Sequence, residues 1–253
     1  MSKEEKIKNY NPSGVGVDNG NIFGLPFSFE DSNIIILPVP WEVTTSFGNG
    51  TSKAPAKILE ASPQLDLFHH TYPNAWKQGI YMLDVSEEIL QLNNKYKVKA
   101  QEVILLLEKG KAISELQETI NEINEVCNQL RKWVFEQATT LLNRNKKVIL
   151  LGGDHSTPLG YMQALAQKHS EFGILQIDAH ADLRKAYEGF TYSHASIIYN
   201  AVQIEQIKSL TQVGIRDICA EEVDFINNNN NIQCFYDEKL KEEQYSGTTW
   251  KDQ

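Results

Sequence analysis

The chain has 253 residues, of which 41% are apolar and 23% charged, as is typical of a globular protein that can bury a full core. Its apolar runs are too short to cross a membrane, and its charged N-terminus lacks the apolar stretch of a secretory signal. A net charge of −9 without a basic stripe argues against nucleic acid and favours cationic partners. The three scattered cysteines fit reduced thiols, so we expect a cytoplasmic protein.

Short apolar runs alternate with helical patterns along the chain. Amphipathic periodicity predicts a shorter helix around Val98–Glu108, then a long helix that begins at the capping-box sequence Ser114–Gln117 and continues to Leu141. Apolar runs of this kind are typical of strands buried on both faces, and their alternation with helices indicates a parallel sheet covered on both sides. We therefore predict an α/β fold with an N-terminal extension (residues 1–32) and a single domain (residues 33–253). The predicted strands are Asn33–Leu37, Gly79–Leu83, Lys147–Leu151, Gly173–Ile177, Thr211–Ile215 and Ile232–Tyr236.

A glycine turn follows the third predicted strand. Gly152 and Gly153 allow a sharp turn and a close approach of the backbone, and Asp154 and His155 come directly after them. Parallel sheets place their chemistry at the carboxyl ends of the strands, where these two side chains should lie. A glycine turn with an incidental histidine is common, so this motif alone does not define a metal site.

The stronger signal is the sequence Asp178-Ala-His180-Ala-Asp182 after the fourth predicted strand. In extended backbone the three polar side chains would point the same way, and two carboxylates with an imidazole would be poorly solvated there without a cation. The alternative is a pair of capping aspartates with a hydrogen-bonded core histidine. With His155 as a fourth ligand, the oxygen-rich donor set favours Mn²⁺, while Fe²⁺, Co²⁺ and Zn²⁺ stay open.

At these residues the sequence resembles the ureohydrolases, which are the dimanganese arginase, agmatinase and formimidoylglutamase enzymes. The two motifs look like the first two signatures of that family, and the resemblance runs from about Asn33 to Tyr236. It implies a three-layer α/β/α sandwich around a mainly parallel sheet. Further matches are Pro40–Thr51, which resembles an agmatinase-type segment, Tyr192–Ala195 and Gln212–Arg216.

The resemblance also implies a role for each site residue. Asp178 would bridge two Mn²⁺ ions, His155 and Asp182 would complete the protein ligands of one ion, and His180 would bind the other. His194 would shuttle protons near the substrate, and Asp154 would orient a ligand. A metal-bridging hydroxide would then hydrolyse a small cationic guanidino substrate, and the agmatinase reaction of polyamine metabolism converts agmatine and water to putrescine and urea. The family also implies a homo-oligomer.

The chain departs from the family in one respect. The third signature, a strand that ends in Ser-x-Asp-x-Asp-x-x-Asp-Pro, is not found after Arg216. We therefore expect a C-terminally truncated ureohydrolase that lacks its last strands, leaves a sheet edge uncovered and retains the second ion weakly. The alternatives are a catalytically impaired homologue that acts as a subunit or interaction module, and arginase or formimidoylglutamase specificity. A one-zinc deacetylase of the related fold is disfavoured because the paired motifs match the two-metal pattern.

Overall fold

Six strands and eight helices alternate along the chain in the computed structural model, which describes residues 1–253. None of the helices combines the length and the hydropathy needed to cross a bilayer. The strands are β1 (Ile34–Val39), β2 (Ile80–Met82), β3 (Lys147–Gly152), β4 (Phe172–Ile177), β5 (Ile207–Ile215) and β6 (Ile232–Tyr236). The helices are α1 (Lys3–Asn9), α2 (Ala54–Ala61), α3 (Glu87–Glu108), α4 (Gln117–Asn143), α5 (Leu159–Lys168), α6 (Ile197–Ala201), α7 (Ala220–Asn227) and α8 (Asp237–Tyr245).

All strand pairs are parallel, which confirms the predicted α/β class. The strands form two sheets of three, in the orders β2-β1-β3 and β4-β5-β6, whereas the sequence suggested one sheet. The division arises because β3 and β4 do not hydrogen-bond to each other, although residues of both line a common cleft. The expected uncovered sheet edge is therefore found inside the fold, between the two sheets.

The first sheet is covered on both faces, as the apolar runs predict. Side chains alternate along β1, so Ile35 and Leu37 pack with α3 and α4, while Ile36 packs on the opposite face with Ile22 and Leu59. Ile35 and Leu37 are almost completely buried. The second sheet has its own smaller core, built from β5, α6 and α7 around Leu210.

The two long helices before β3, α3 and α4, begin at other residues than the sequence predicted. Helix α3 begins at Glu87, where Ser86 caps it by accepting a hydrogen bond from the N–H of Ile89, and not near Val98. A polar stretch that includes Asn93 conceals the periodicity of its first half. The predicted capping box at Ser114 is wrong, because Ser114 lies in a separate 3₁₀ turn and α4 begins at Gln117. Helix α4 packs against α3, α5, β1 and β3. The two long helices α3 and α4 together therefore cover one face of the first sheet.

Candidate metal centre

The glycine turn after β3 brings its backbone against the end of β1, as predicted. The N–H of Gly153 donates to Val39 O at 3.1 Å and the N–H of Asp154 donates to Trp41 O at 2.8 Å. A Cβ atom on Gly153 would lie 1.8 Å from Trp41 O, so no larger residue fits there. This contact fixes the direction in which the chain leaves β3 and therefore fixes the position of His155.

Three of the four predicted ligands meet at the carboxyl ends of β3 and β4. His155 Nδ1 lies 2.6 Å from Asp182 Oδ2 and 3.2 Å from Asp178 Oδ2. One ligand atom from each residue lies within 4.8 Å of the other two. Asp182 has a positive φ of 54°, a left-handed conformation that aspartate tolerates better than most residues. This turn returns the chain towards His155, so the two carboxylates converge through a loop and not through extended alternation.

His180 lies further out. Its side chain is 58% exposed, its Nδ1 lies 3.6 Å from Asp178 Oδ1, and its Nε2 lies 3.6 Å from Asp217 Oδ2. Asp217, at the end of β5, also forms a backbone bridge with His180. The sequence did not single out Asp217, because its place beside His180 depends on the pairing of β4 with β5.

His194 and Asp154 each have a buried polar atom without a hydrogen-bond partner. His194 lines a cavity of about 190 Å³ together with His180, Asp182 and Asp217, and its Nδ1 is buried and unpartnered. Asp154 accepts hydrogen bonds at Oδ1 from the N–H and hydroxyl of Ser156, while its buried Oδ2 has no partner. Burial raises the pKa of Asp154. Buried polar atoms without a partner are uncommon in folded proteins, and a bound water or ion is one explanation for them.

The electrostatics of the cluster fit a divalent cation. Burial lowers the pKa of His155, but hydrogen bonds with Asp178 and Asp182 outweigh burial and raise it to about 10. Burial raises the pKa of Asp178, but hydrogen bonds from His155 and from the His180 N–H hold it well below its usual range. A proton on His155 thus supplies positive charge between two carboxylates. Metal ligation requires the neutral ring, so a bound cation would replace that proton.

Several buried side chains that the sequence did not single out hold the ligand loop, which we define as residues 178–182. Gln212 donates to Gln176 Oε1 at 2.7 Å and to Ala181 O at 2.8 Å, and Gln176 donates to His180 O at 3.1 Å. Glu222 accepts from the N–H of Leu183 at 2.9 Å. Apart from the contact between Gln176 and His180, these hydrogen bonds join residues at least 31 positions apart in the sequence. Local sequence spacing therefore could not indicate them.

The segment that follows β1 is anchored by Glu42, which is 2% exposed. Its carboxylate accepts from the N–H of Gly50 at 2.6 Å and of Ser52 at 3.3 Å, and it forms an ion pair with Lys97 of α3. Burial raises the pKa of Glu42, but the Lys97 ammonium and the backbone donors outweigh burial and lower it to about 2. The same segment contains Ser46, which lines the 190 Å³ cavity.

Comparison with curated proteins gives relatives of low identity that are longer than this chain. An N(1)-aminopropylagmatine ureohydrolase from Synechocystis sp. is 28% identical over 206 residues, which cover 80% of this chain and 57% of that protein. An agmatinase from Bacillus cereus is 26% identical over 198 residues, which cover 78% of this chain and 57% of that protein. The chain therefore spans little more than half the length of these relatives.

Solved structures support the same fold. The agmatine ureohydrolase of Thermoplasma volcanium superposes with a TM-score of 0.61 over 96% of this chain and 68% of that one, at 19% identity. The model of the arginase family matches residues 32–250, which include both sheets and every predicted ligand. The chain belongs to the arginase family.

Proposed function

We propose that this chain carries the metal-binding and catalytic half-site of a ureohydrolase that cleaves a guanidino C–N bond, with agmatine or a close relative as substrate. The observation that carries the proposal is the convergence of His155, Asp178 and Asp182 within 4.8 Å at the carboxyl ends of β3 and β4. Parallel α/β folds place active sites at that edge. The relatives named as agmatinase and aminopropylagmatine ureohydrolase support this substrate class.

Each residue has a proposed task at a stated atom. Asp178 directs one oxygen towards His155 and the other towards His180, so its carboxylate would be available to both ions. His155 Nδ1 and Asp182 Oδ2 would complete the protein ligands of the first ion, and His180 would hold the second. Two such cations, with Mn²⁺ favoured by this mixed carboxylate and imidazole set, would lower the pKa of a bound water and so supply a nucleophile at neutral pH.

His194 is proposed to move the proton that the leaving amine needs. It lines the same cavity as His180 and Asp182, and its buried Nδ1 has no partner within the protein. Asp154 is proposed to orient the turn that carries His155, since its Oδ1 accepts both donors of Ser156. The carboxylates of Asp182, Asp217 and Glu222 outnumber the one permanent cation in the lining of the cavity, Arg184, and this negative excess favours a cationic guanidinium.

The test is hydrolysis by the purified chain with added Mn²⁺, measured as urea from agmatine, N(1)-aminopropylagmatine and arginine and as formamide from formiminoglutamate. We expect urea from agmatine or its aminopropyl derivative, and we expect Asp178→Asn to lower the rate by at least about 100-fold. Asp66→Asn, at an exposed position, is the control and should leave the rate unchanged. Preference for arginine or formiminoglutamate would reassign the specificity, and absence of product with all four compounds would contradict the activity of this chain.

A further inference from the structure

The two nitrogens of the His180 ring face two different carboxylates. Nδ1 lies 3.6 Å from Asp178 Oδ1, and Nε2 lies 3.6 Å from Asp217 Oδ2. The cationic side chains nearby have other partners, because the guanidinium of Arg184 pairs with Glu222 and that of Arg216 donates to Gly214 O at 3.1 Å. The Asp217 carboxylate is therefore directed at the histidine and not at a neighbouring cation.

The backbone ties Asp217 to the ligand loop. The N–H of Asp217 donates to Ala179 O at 3.0 Å, and the N–H of Arg216 donates to the same oxygen at 2.8 Å. Asp217 also forms a parallel backbone bridge with His180. These contacts fix the end of β5 beside the ligand loop, so the position of the Asp217 carboxylate next to the His180 ring is set by the fold.

A neutral imidazole has one bare nitrogen and one N–H, and only the bare nitrogen can bind a cation. The proposed second ion lies where Nδ1 and Asp178 Oδ1 face each other, so the proton must be on Nε2. Without a competing acceptor, the Asp178 carboxylate would draw the proton to Nδ1, which is the nitrogen that the ion needs. A second carboxylate facing Nε2 favours the tautomer that is able to bind the ion.

We propose that Asp217 is a positioning residue, which accepts a hydrogen bond from Nε2–H of His180 and so keeps Nδ1 free for the second metal ion. The proposal rests on the proposed function for the existence of that ion. The present gap of 3.6 Å is longer than a hydrogen bond of about 2.9 Å. Rotation of the Asp217 side chain, which is 80% exposed, can close it. A role through charge alone is the other possibility, and it predicts different results.

The first test is Mn²⁺ binding to the whole chain, measured by calorimetry. We expect Asp217→Ala to weaken the second ion about 10- to 100-fold and the first ion less than about twofold. Asp217→Asn keeps an acceptor oxygen and should lie between Asp217→Ala and the unmodified chain. Asp224→Asn, at an exposed position on α7, is the control and should bind both ions normally. Unchanged binding in Asp217→Ala, equal weakening of both ions, or equal loss in the Asn and Ala variants would overturn the proposal.

The second test needs no metal. The ¹⁵N chemical shifts of the neutral His180 ring, recorded on the alkaline side of its titration in the metal-free chain, report which nitrogen has the proton. We expect Nε2–H to predominate in the unmodified chain, and Asp217→Ala to raise the ratio of Nδ1–H to Nε2–H at least about twofold. Equal ratios in the two proteins would overturn the pairing even if Mn²⁺ binds. If the unmodified chain bound no second Mn²⁺, the proposed function would fail, and the ¹⁵N comparison alone would decide the role of Asp217.

Discussion

Two uncharged side chains bind the backbone of the ligand loop. Gln212 is fully buried and Gln176 nearly so, and together they bind two backbone carbonyls of the loop, those of Ala181 and His180. Neutral amides can do this beside two carboxylates without adding a charge that would compete with a cation. The geometry of the proposed metal ligands therefore depends on a buried contact between β4 and β5.

This contact predicts the effect of Gln212→Leu. The substitution keeps the volume but removes both hydrogen bonds, so we expect the Mn²⁺ affinity measured by calorimetry to fall about 10- to 100-fold. Circular dichroism should show that the fold is kept. Gln233→Leu, on the exposed edge strand β6, is the matched control and should bind Mn²⁺ as the unmodified chain does. Unchanged affinity in Gln212→Leu would contradict the positioning role.

The glycine turn gives a second prediction. In Gly153→Ala the new Cβ would overlap Trp41 O, which is backbone and cannot move aside alone. We expect the free energy of unfolding to fall by about 3 kcal/mol, measured by urea denaturation. Gly14→Ala is the control, because its Cβ would meet only Asn11, at 3.3 Å, and should change stability by less than about 0.5 kcal/mol. Equal stability of the two variants would show that the turn can adjust.

The spacing of the polar residues in the two sequence motifs correctly predicted which side chains lie close together in part of the site. It indicated that Asp178, Asp182 and His155 meet, and in the structure they do. The argument from strict alternation also placed His180 with these three, but its side chain lies further out, with Nδ1 3.6 Å from Asp178 Oδ1. Asp217 and Gln212 could not be found in this way, because they approach the loop only through the pairing of β5 with β4.

At the scale of elements, helix α3 holds the segment after β1. Lys97 pairs with the buried Glu42 carboxylate, and the side chain of Asn93 accepts a hydrogen bond from the N–H of Glu42 at 2.7 Å. The sequence predicted only the second half of this helix. Its first half was missed because the residues that anchor the segment, such as Asn93, are polar and buried, and they interrupt the apolar periodicity.

The ion pair predicts a pH dependence of stability. The folded pKa of Glu42, about 2, lies below its ordinary value of 4.5. The stabilisation that its ionised carboxylate gives to the folded state is therefore complete above pH 4.5 and is lost as the pH falls from 4.5 to 2. Glu42→Gln should therefore cost about 3 kcal/mol at pH 7, and the difference from the unmodified chain should shrink towards pH 2. Urea denaturation between about pH 2.5 and about pH 7 measures this.

Glu60→Gln is the matched control for this pair. Glu60 pairs with Lys57 on an exposed helix surface, so the substitution should have little effect at any pH. If the difference between Glu42→Gln and the unmodified chain stayed constant from pH 7 to the acid limit, the ionised carboxylate would not be the source of the stability.

At the scale of the whole molecule, the chain consists of two half-sheets with unequal cores. The core around β1 contains 22 buried apolar residues, and the core around β5 contains 10. The alternation of apolar runs with helical patterns predicted the α/β fold class and the strands, since both depend on local sequence. They could not predict the division into two sheets, because strand order depends on which distant edges meet. The proposed metal ligands lie on both sides of that division, with His155 after β3 and Asp178 after β4.

This division predicts how Mn²⁺ changes unfolding. Without metal, the half built on β4–β6 has the smaller core, so hydrogen exchange should be faster there than in β1–β3, and spectroscopic probes of the two halves should give separate transitions. A cation bound by His155 together with Asp178 and Asp182 links the halves, so Mn²⁺ at 100 times its dissociation constant should stabilise the β4–β6 half by about 2.7 kcal/mol and bring the transitions together. His155→Ala should remove this effect, whereas His169→Ala, on the exposed surface after α5, should retain it. Coincident transitions without Mn²⁺ would show instead that the two halves already unfold as one unit.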